Sequence, residues 1–367
     1  MKIKLIAFCL SVSLFLTGCS FLDGSYLSIE PHREQRQSIQ TGTIHAASYQ
    51  DLVQALEQLI DSGAEMGVIV VQDYPAENIE EQMVTAADFV SQAYAIGAFA
   101  VEKIDLELGT SGGTAAIAVT IRYRRSLSEI ESIRQVSNMD AAEKAIYQAL
   151  ERCDAGVVLL VDRYAYRDLT LTVQNYAVEN PQVVMEVPIV TESTYGIGRQ
   201  RVIELAFTYQ NSRDALRQMQ DQVQPVFNSA VLYVSGDGQA WQKYAQLYGF
   251  LMERFDYTIE TSITPAYSLL RHGVGDSRAF ATVYAAMCRS AGLECQVVTG
   301  TREGEPWTWN MITEGENHYH VDLLRCSQEG EFRRLTDAEM GGYVWDYSAY
   351  SEGEGPSQRT QEQGSGQ

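Results

Sequence analysis

The chain has 367 residues, 45% of them hydrophobic, and a net charge of −21 from 48 acidic and 27 basic side chains. A length of that order holds two or three domains. The acidic balance argues against a nucleic-acid partner and against electrostatic attraction to an anionic lipid surface.

Lys2 and Lys4 precede an apolar run from Leu5 to Leu16, and Leu16-Thr17-Gly18-Cys19 follows. A charged start, a short apolar stretch and small residues before a cleavage point predict a secretory signal peptide over 1–19. The Leu-Thr-Gly-Cys ending resembles a bacterial lipobox, which implies lipidation of Cys19 and an extracytoplasmic protein held to the membrane by its lipid. An ordinary signal peptide with an incidental cysteine is the alternative. Residues 20–45 are polar without apolar period and predict a flexible tether. Residues 351–367 are mostly Gly, Ser, Glu and Gln, without large hydrophobes, and predict a disordered tail.

The stretch from 47 to 235 repeats its pattern. Gln54-Ala55-Leu56-Glu57 recurs as Gln148-Ala149-Leu150-Glu151, each in a helical stretch. The apolar run Val68–Val71 is answered by Val157–Val161, and the alternating Ile117–Tyr123 by Ile203–Tyr209. Two small α+β units follow, over 47–135 and 139–235, each read as helix, strand, helix, strand, strand. Convergent patterning is the alternative to duplication. Gly109-Thr110-Ser111-Gly112-Gly113 stands before a strand and lacks a following Gly-Lys-Ser/Thr, so it predicts a hairpin turn, not a phosphate loop.

The third region, 238–350, carries the candidate chemistry. After Gly273-Val274-Gly275-Asp276-Ser277, apolar residues at Phe280, Val283, Tyr284, Met287, Cys288 and Ala291 fall at helical spacing, and Gly292 ends the run. Leu293, Cys295 and Val297 alternate with polar residues as a half-buried strand does. Trp307-Thr308-Trp309-Asn310 and His318-Tyr319-His320-Val321-Asp322 predict two more strands. The cysteines Cys153, Cys288, Cys295 and Cys326 form no CxxC pair, so no zinc site is predicted and no cofactor is implied. A disulfide among Cys288, Cys295 and Cys326 and a set of buried free thiols stay open as alternatives.

These motifs, in this order, resemble the core of the bacterial transglutaminase-like (papain-like cysteine protease) superfamily. The resemblance covers roughly Tyr244 to Tyr350, and Leu335–Met340 and Trp345-Asp346-Tyr347 resemble its closing segment. It implies an α+β fold with a helix packed on an antiparallel sheet. It also implies a Cys-His-Asp triad whose positions here are Ser277, Trp307 and Asp322. Only Asp322 keeps its expected type. Serine at a helix N-terminus needs a positioned base, and indole donates a hydrogen bond but accepts no proton. His320, two residues before Asp322 and on the same strand face about 7 Å away, is the candidate substitute base. His272 reads as a solvated loop residue, and Cys288 as a core or disulfide cysteine.

The expected protein is a surface lipoprotein with a degenerate triad. Either the old cleft, lined by Trp307, Trp309 and Asn310, binds a peptide or cell-wall glycan, or the domain is a scaffold with a filled cleft. The alternative class is an active amide hydrolase or acyl transferase using Ser277 with a non-standard base.

Overall fold

The computed structural model describes residues 44–350 except 76, 235 and 259–263. The expected signal peptide, the expected lipidation site Cys19, the expected tail and the part of the expected tether before Ile44 lie outside the described residues. The architecture is α+β, and three four-stranded sheets carry it.

The first sheet contains β1 (Ile44–His45), β2 (Met66–Val70), β3 (Val101–Ser111) and β4 (Thr114–Tyr123), in the order β1-β2-β4-β3. The second contains β5 (Arg134–Val136), β6 (Gly156–Val161), β7 (Ile189–Tyr195) and β8 (Arg201–Thr208), in the order β5-β6-β8-β7. In each, the first pair is parallel and the others antiparallel. The flanking helices follow their sequence signals. In α1 (Tyr49–Asp61), Ser48 caps the N-terminus by accepting from the Asp51 amide, and Leu52, Leu56, Leu59 and Ile60 are buried on one face. Helices α2 (Ile79–Gln92) and α3 (Ala95–Ala100) complete the first unit. The short α4 (Leu127–Glu131) links it to the second, which holds α5 (Met139–Glu151) and α6 (Leu169–Glu179). Gly109–Gly113 forms the end of β3 and the hairpin turn into β4, with Ser111 opposite Thr114.

Three boundaries move. Ile44 and His45 pair with Ile69 and Val70, so the expected tether stops before them. Arg134–Val136 pairs with β6, which places it in the second unit and not at the end of the first. A further strand therefore opens each unit. Helix α7 (Arg213–Tyr233), expected to close the second unit, buries Leu216, Val223, Phe227 and Ala230 in the core of the C-terminal domain.

That domain is built around α10 (Ser277–Ser290), whose residues from Ala279 to Cys288 are all buried. Helices α7 and α8 (Ala240–Met252) share its core, and α9 (Pro265–His272) leads into it. Gly273 ends α9 at φ +83°, a left-handed conformation that L side chains rarely adopt. At Gly275 a Cβ would lie 2.9 Å from that of Ala279. The glycine turn thus packs closely between Leu269 of α9 and Ala279 of α10. The two-residue strands β9 (Asp256–Tyr257) and β10 (Val274–Gly275) pair in parallel beside it. The sheet behind α10 contains β11 (Cys295–Arg302), β12 (Glu305–Glu314), β13 (Asn317–Val321) and β14 (Tyr343–Trp345), ordered β13-β12-β11-β14. Helix α11 (Leu323–Glu329) follows β13. Besides the core around α10, a second apolar cluster gathers Val298, Trp309, Met311, Leu335, Tyr343 and Trp345.

Candidate functional site

Asp276 caps α10 by accepting from the Ala279 amide at 2.8 Å, and Ser277 is the first helical residue, half-buried. The β9–β10 pairing sets Tyr257 opposite Gly275, and the Tyr257 ring lies 6.1 Å from that of Trp307. Tyr257 therefore links the serine turn to the strand that carries the base position.

On β12, Trp307 donates from Nε1 to Asp322 Oδ2 at 2.9 Å. Tyr343 donates to the same oxygen at 2.6 Å and Arg302 at 3.2 Å. The other oxygen accepts from the Leu324 and Arg325 amides, so Asp322 also caps α11. Asp322 is only 2% exposed, and a buried carboxylate is tolerated where its lone pairs are filled this way. Arg302 lies over the Trp307 ring with Cζ 5.4 Å from the centroid, which adds a cation–π contact. Burial, reinforced by the Asp322 carboxylate, pushes the Tyr343 hydroxyl well above its usual range, so it stays a donor. Two of the three positions that the resemblance assigns to a triad are thus joined, through the indole N–H of Trp307.

His320 is engaged elsewhere in the sheet. Its ring is 1% exposed, accepts from Trp309 Nε1 at Nδ1 (2.9 Å), and pairs through Nε2 with Asp337 Oδ1 (3.0 Å). Both nitrogens are committed to residues of the sheet and its closing segment, and the expectation of a substitute base is corrected accordingly. The cleft expectation is corrected as well. Trp309 is 1% exposed and Asn310 fully buried, with Asn310 donating from Nδ2 to the Ala281 carbonyl of α10 at 2.8 Å. Both are core residues. Trp307 alone of that trio is half-buried.

Cys288 lies in the buried heart of α10, and all four cysteines of the described region are free and buried. His272 is exposed at the end of α9. Among the described residues no group of three His, Cys, Asp or Glu side chains is placed to hold a metal. Sequence reasoning missed Arg302 and Tyr343. Neither stands at a spacing that ties it to Asp322, and the β11–β14 pairing, Arg302 opposite Tyr343, is what brings them there.

Residues 230–352 match the family model of the transglutaminase-like superfamily. The C-terminal domain is transglutaminase-like. Among solved structures, a TGase is similar at 11% identity and TM-score 0.26, covering 46% of this chain and 50% of its own. This chain thus spans half the length of that protein. A candidate cysteine protease from Cytophaga hutchinsonii is similar at 14% identity and TM-score 0.25, over 43% of this chain and 70% of its own. A candidate protease from Parabacteroides distasonis gives 9% identity and TM-score 0.22, over 64% and 36%. No curated protein matches the sequence. Within the transglutaminase-like domain, an indole and a serine stand where the resemblance places a base and a thiol nucleophile.

Proposed function

We propose that this protein is a lipid-anchored surface lipoprotein whose transglutaminase-like domain is catalytically inactive and works as a binding or scaffold module. The observation that carries this reading is the 2.9 Å hydrogen bond from Trp307 to Asp322. Acyl transfer or amide hydrolysis needs a group that removes a proton from the nucleophile, and an indole N–H gives a hydrogen bond without taking one. Arg302 and Tyr343 occupy the rest of the facing carboxylate oxygen, so the arrangement favours a fixed structural joint. The shared strand order of the first two sheets supports reading the N-terminal units as copies of one spacer module. The deciding experiment compares wild type with Ser277→Ala in peptide hydrolysis and amine incorporation. Background rates in both are expected; a rate that depends on Ser277 would sink the inactive reading.

A further inference from the structure

A cleft of about 850 Å³ lies between α6 of the second unit and the flank of the transglutaminase-like domain, and Trp307 does not line it. One wall is α10, which presents Arg278 and Arg289 to it. A smaller hollow that shares Val178, Val187, Pro265 and Arg278 with the cleft adds Thr282. Arg278, Thr282 and Arg289 are spaced four and seven residues apart and fall on one stripe of the helix, about 16 Å long. Among the described residues the Arg289 Nη2 donor and the Thr282 hydroxyl are buried without a hydrogen-bond partner, and Thr282 is only 6% exposed. Buried donors of this kind are costly unless something fills them.

The floor is the first half of β11. Strand β14 pairs only with Gly300, Thr301 and Arg302. The main-chain groups of Cys295 and Val297 that face away from β12 therefore have no strand opposite them among the described residues, although the Cys295 carbonyl accepts from Arg289 Nη1 at 3.4 Å, a contact an added strand would replace. Thr299 marks the direction of this edge, since its amide donates outward to the Tyr350 hydroxyl at 3.0 Å. From Cys295 to Thr299 the edge runs about 13 Å, close to the length of the arginine stripe.

We propose that this cleft binds an extended acidic peptide, added as a strand to the edge of β11, with carboxylates four residues apart meeting Arg289 and Arg278. Strand addition supplies affinity through main-chain hydrogen bonds, and the two guanidiniums select acidic side chains in an otherwise acidic protein. Glu179 lines the same cleft and opposes the ligand's charge, so it sets a limit on affinity. The proposal builds on the non-catalytic reading by naming what the domain holds, and its test measures binding alone.

The test is fluorescence anisotropy at low ionic strength, using the full chain and a fluorescein-labelled peptide containing Glu-Val-Thr-Val-Glu. Saturable binding is expected, with Arg289→Gln weakening it about tenfold, the size of one charge-assisted hydrogen bond. The double variant Arg278→Gln/Arg289→Gln is expected to abolish binding, and Glu179→Gln to strengthen it. A peptide with Lys for Glu, and one methylated on its main-chain nitrogens, are expected to bind poorly. Four results would overturn the proposal: no binding by wild type, unchanged binding by the double variant, equal binding of the methylated peptide, or binding seen only after removal of residues 351–367. The last would give the cleft to the chain's own tail. None of these bears on the Ser277→Ala comparison, so the two readings fail separately.

Discussion

At His320 the ring is held by two hydrogen bonds of opposite sense. Trp309 donates to Nδ1, which must be bare, and Nε2 then carries the proton toward Asp337. Protonating Nδ1 would set one N–H against another in a buried site. Burial pushes the His320 pKa below its usual 6.5, and Asp337 opposes that shift only in part. The sign follows from linkage: a His depressed in the folded state contributes stability above the unfolded value that is lost as pH falls through the folded one. Urea unfolding of wild type is therefore expected to show stability falling as pH drops below about 6.5, and His320→Gln to flatten that part of the profile. An unchanged slope in the variant would count against the assignment. Little of this was legible beforehand. Trp307 and Trp309 look equivalent two residues apart in sequence, yet one is half-buried on Asp322 and the other sealed against His320. The partner of His320, Asp337, lies 17 residues away, across a bridge between His320 and Leu335.

Among the elements, α3 does more than its six residues suggest. Ala95, Phe99 and Ala100 are packed with Leu160 and Val202 of the second sheet, and the Phe99 ring meets Tyr195 edge-on at 5.3 Å. Arg125 lies 4.6 Å from the centre of the same ring and pairs with Glu204 at 2.6 Å. A helix of the first unit thus covers a sheet of the second. Phe99→Ala is expected to cost about 3–5 kcal/mol through lost burial and the cavity left behind. Differential scanning calorimetry would show it as a lowered or split transition, and a variant that melts like wild type would mean the contact is weak. The strands of these units were readable from their apolar runs, because a run of four or five β-branched and leucine residues has few other uses. Their order was not, since pairing is set by packing between segments distant in sequence. The two-residue strand β1 was missed for a simpler reason: it is too short to show a period.

At the scale of the whole molecule, a chain of marked acidity keeps an arginine-lined cleft between the second unit and the domain that follows. No stretch of sequence announces it, because its walls come from α6, α10 and β11, which meet only in the folded chain. The glycine turn and the helix after it were legible because each residue type there answers a local demand of geometry. The residue types at Ser277, Trp307 and Asp322 were equally legible, but the closed joint that Trp307 and Asp322 form with Arg302 and Tyr343 was not, because it depends on register.

All four tryptophans, Trp241, Trp307, Trp309 and Trp345, fall after residue 240, within the transglutaminase-like domain. Indole emission excited near 295 nm (a wavelength of about that value avoids tyrosine) consequently sees this domain and is blind to the two units before it, whereas far-ultraviolet dichroism sees every helix and strand. The light the protein emits divides it where its fold does. If the contacts of α3 and α7 bind the chain into one cooperative body, denaturant curves from the two signals are expected to superimpose. Separated midpoints would mean that the domain and its units unfold as independent bodies.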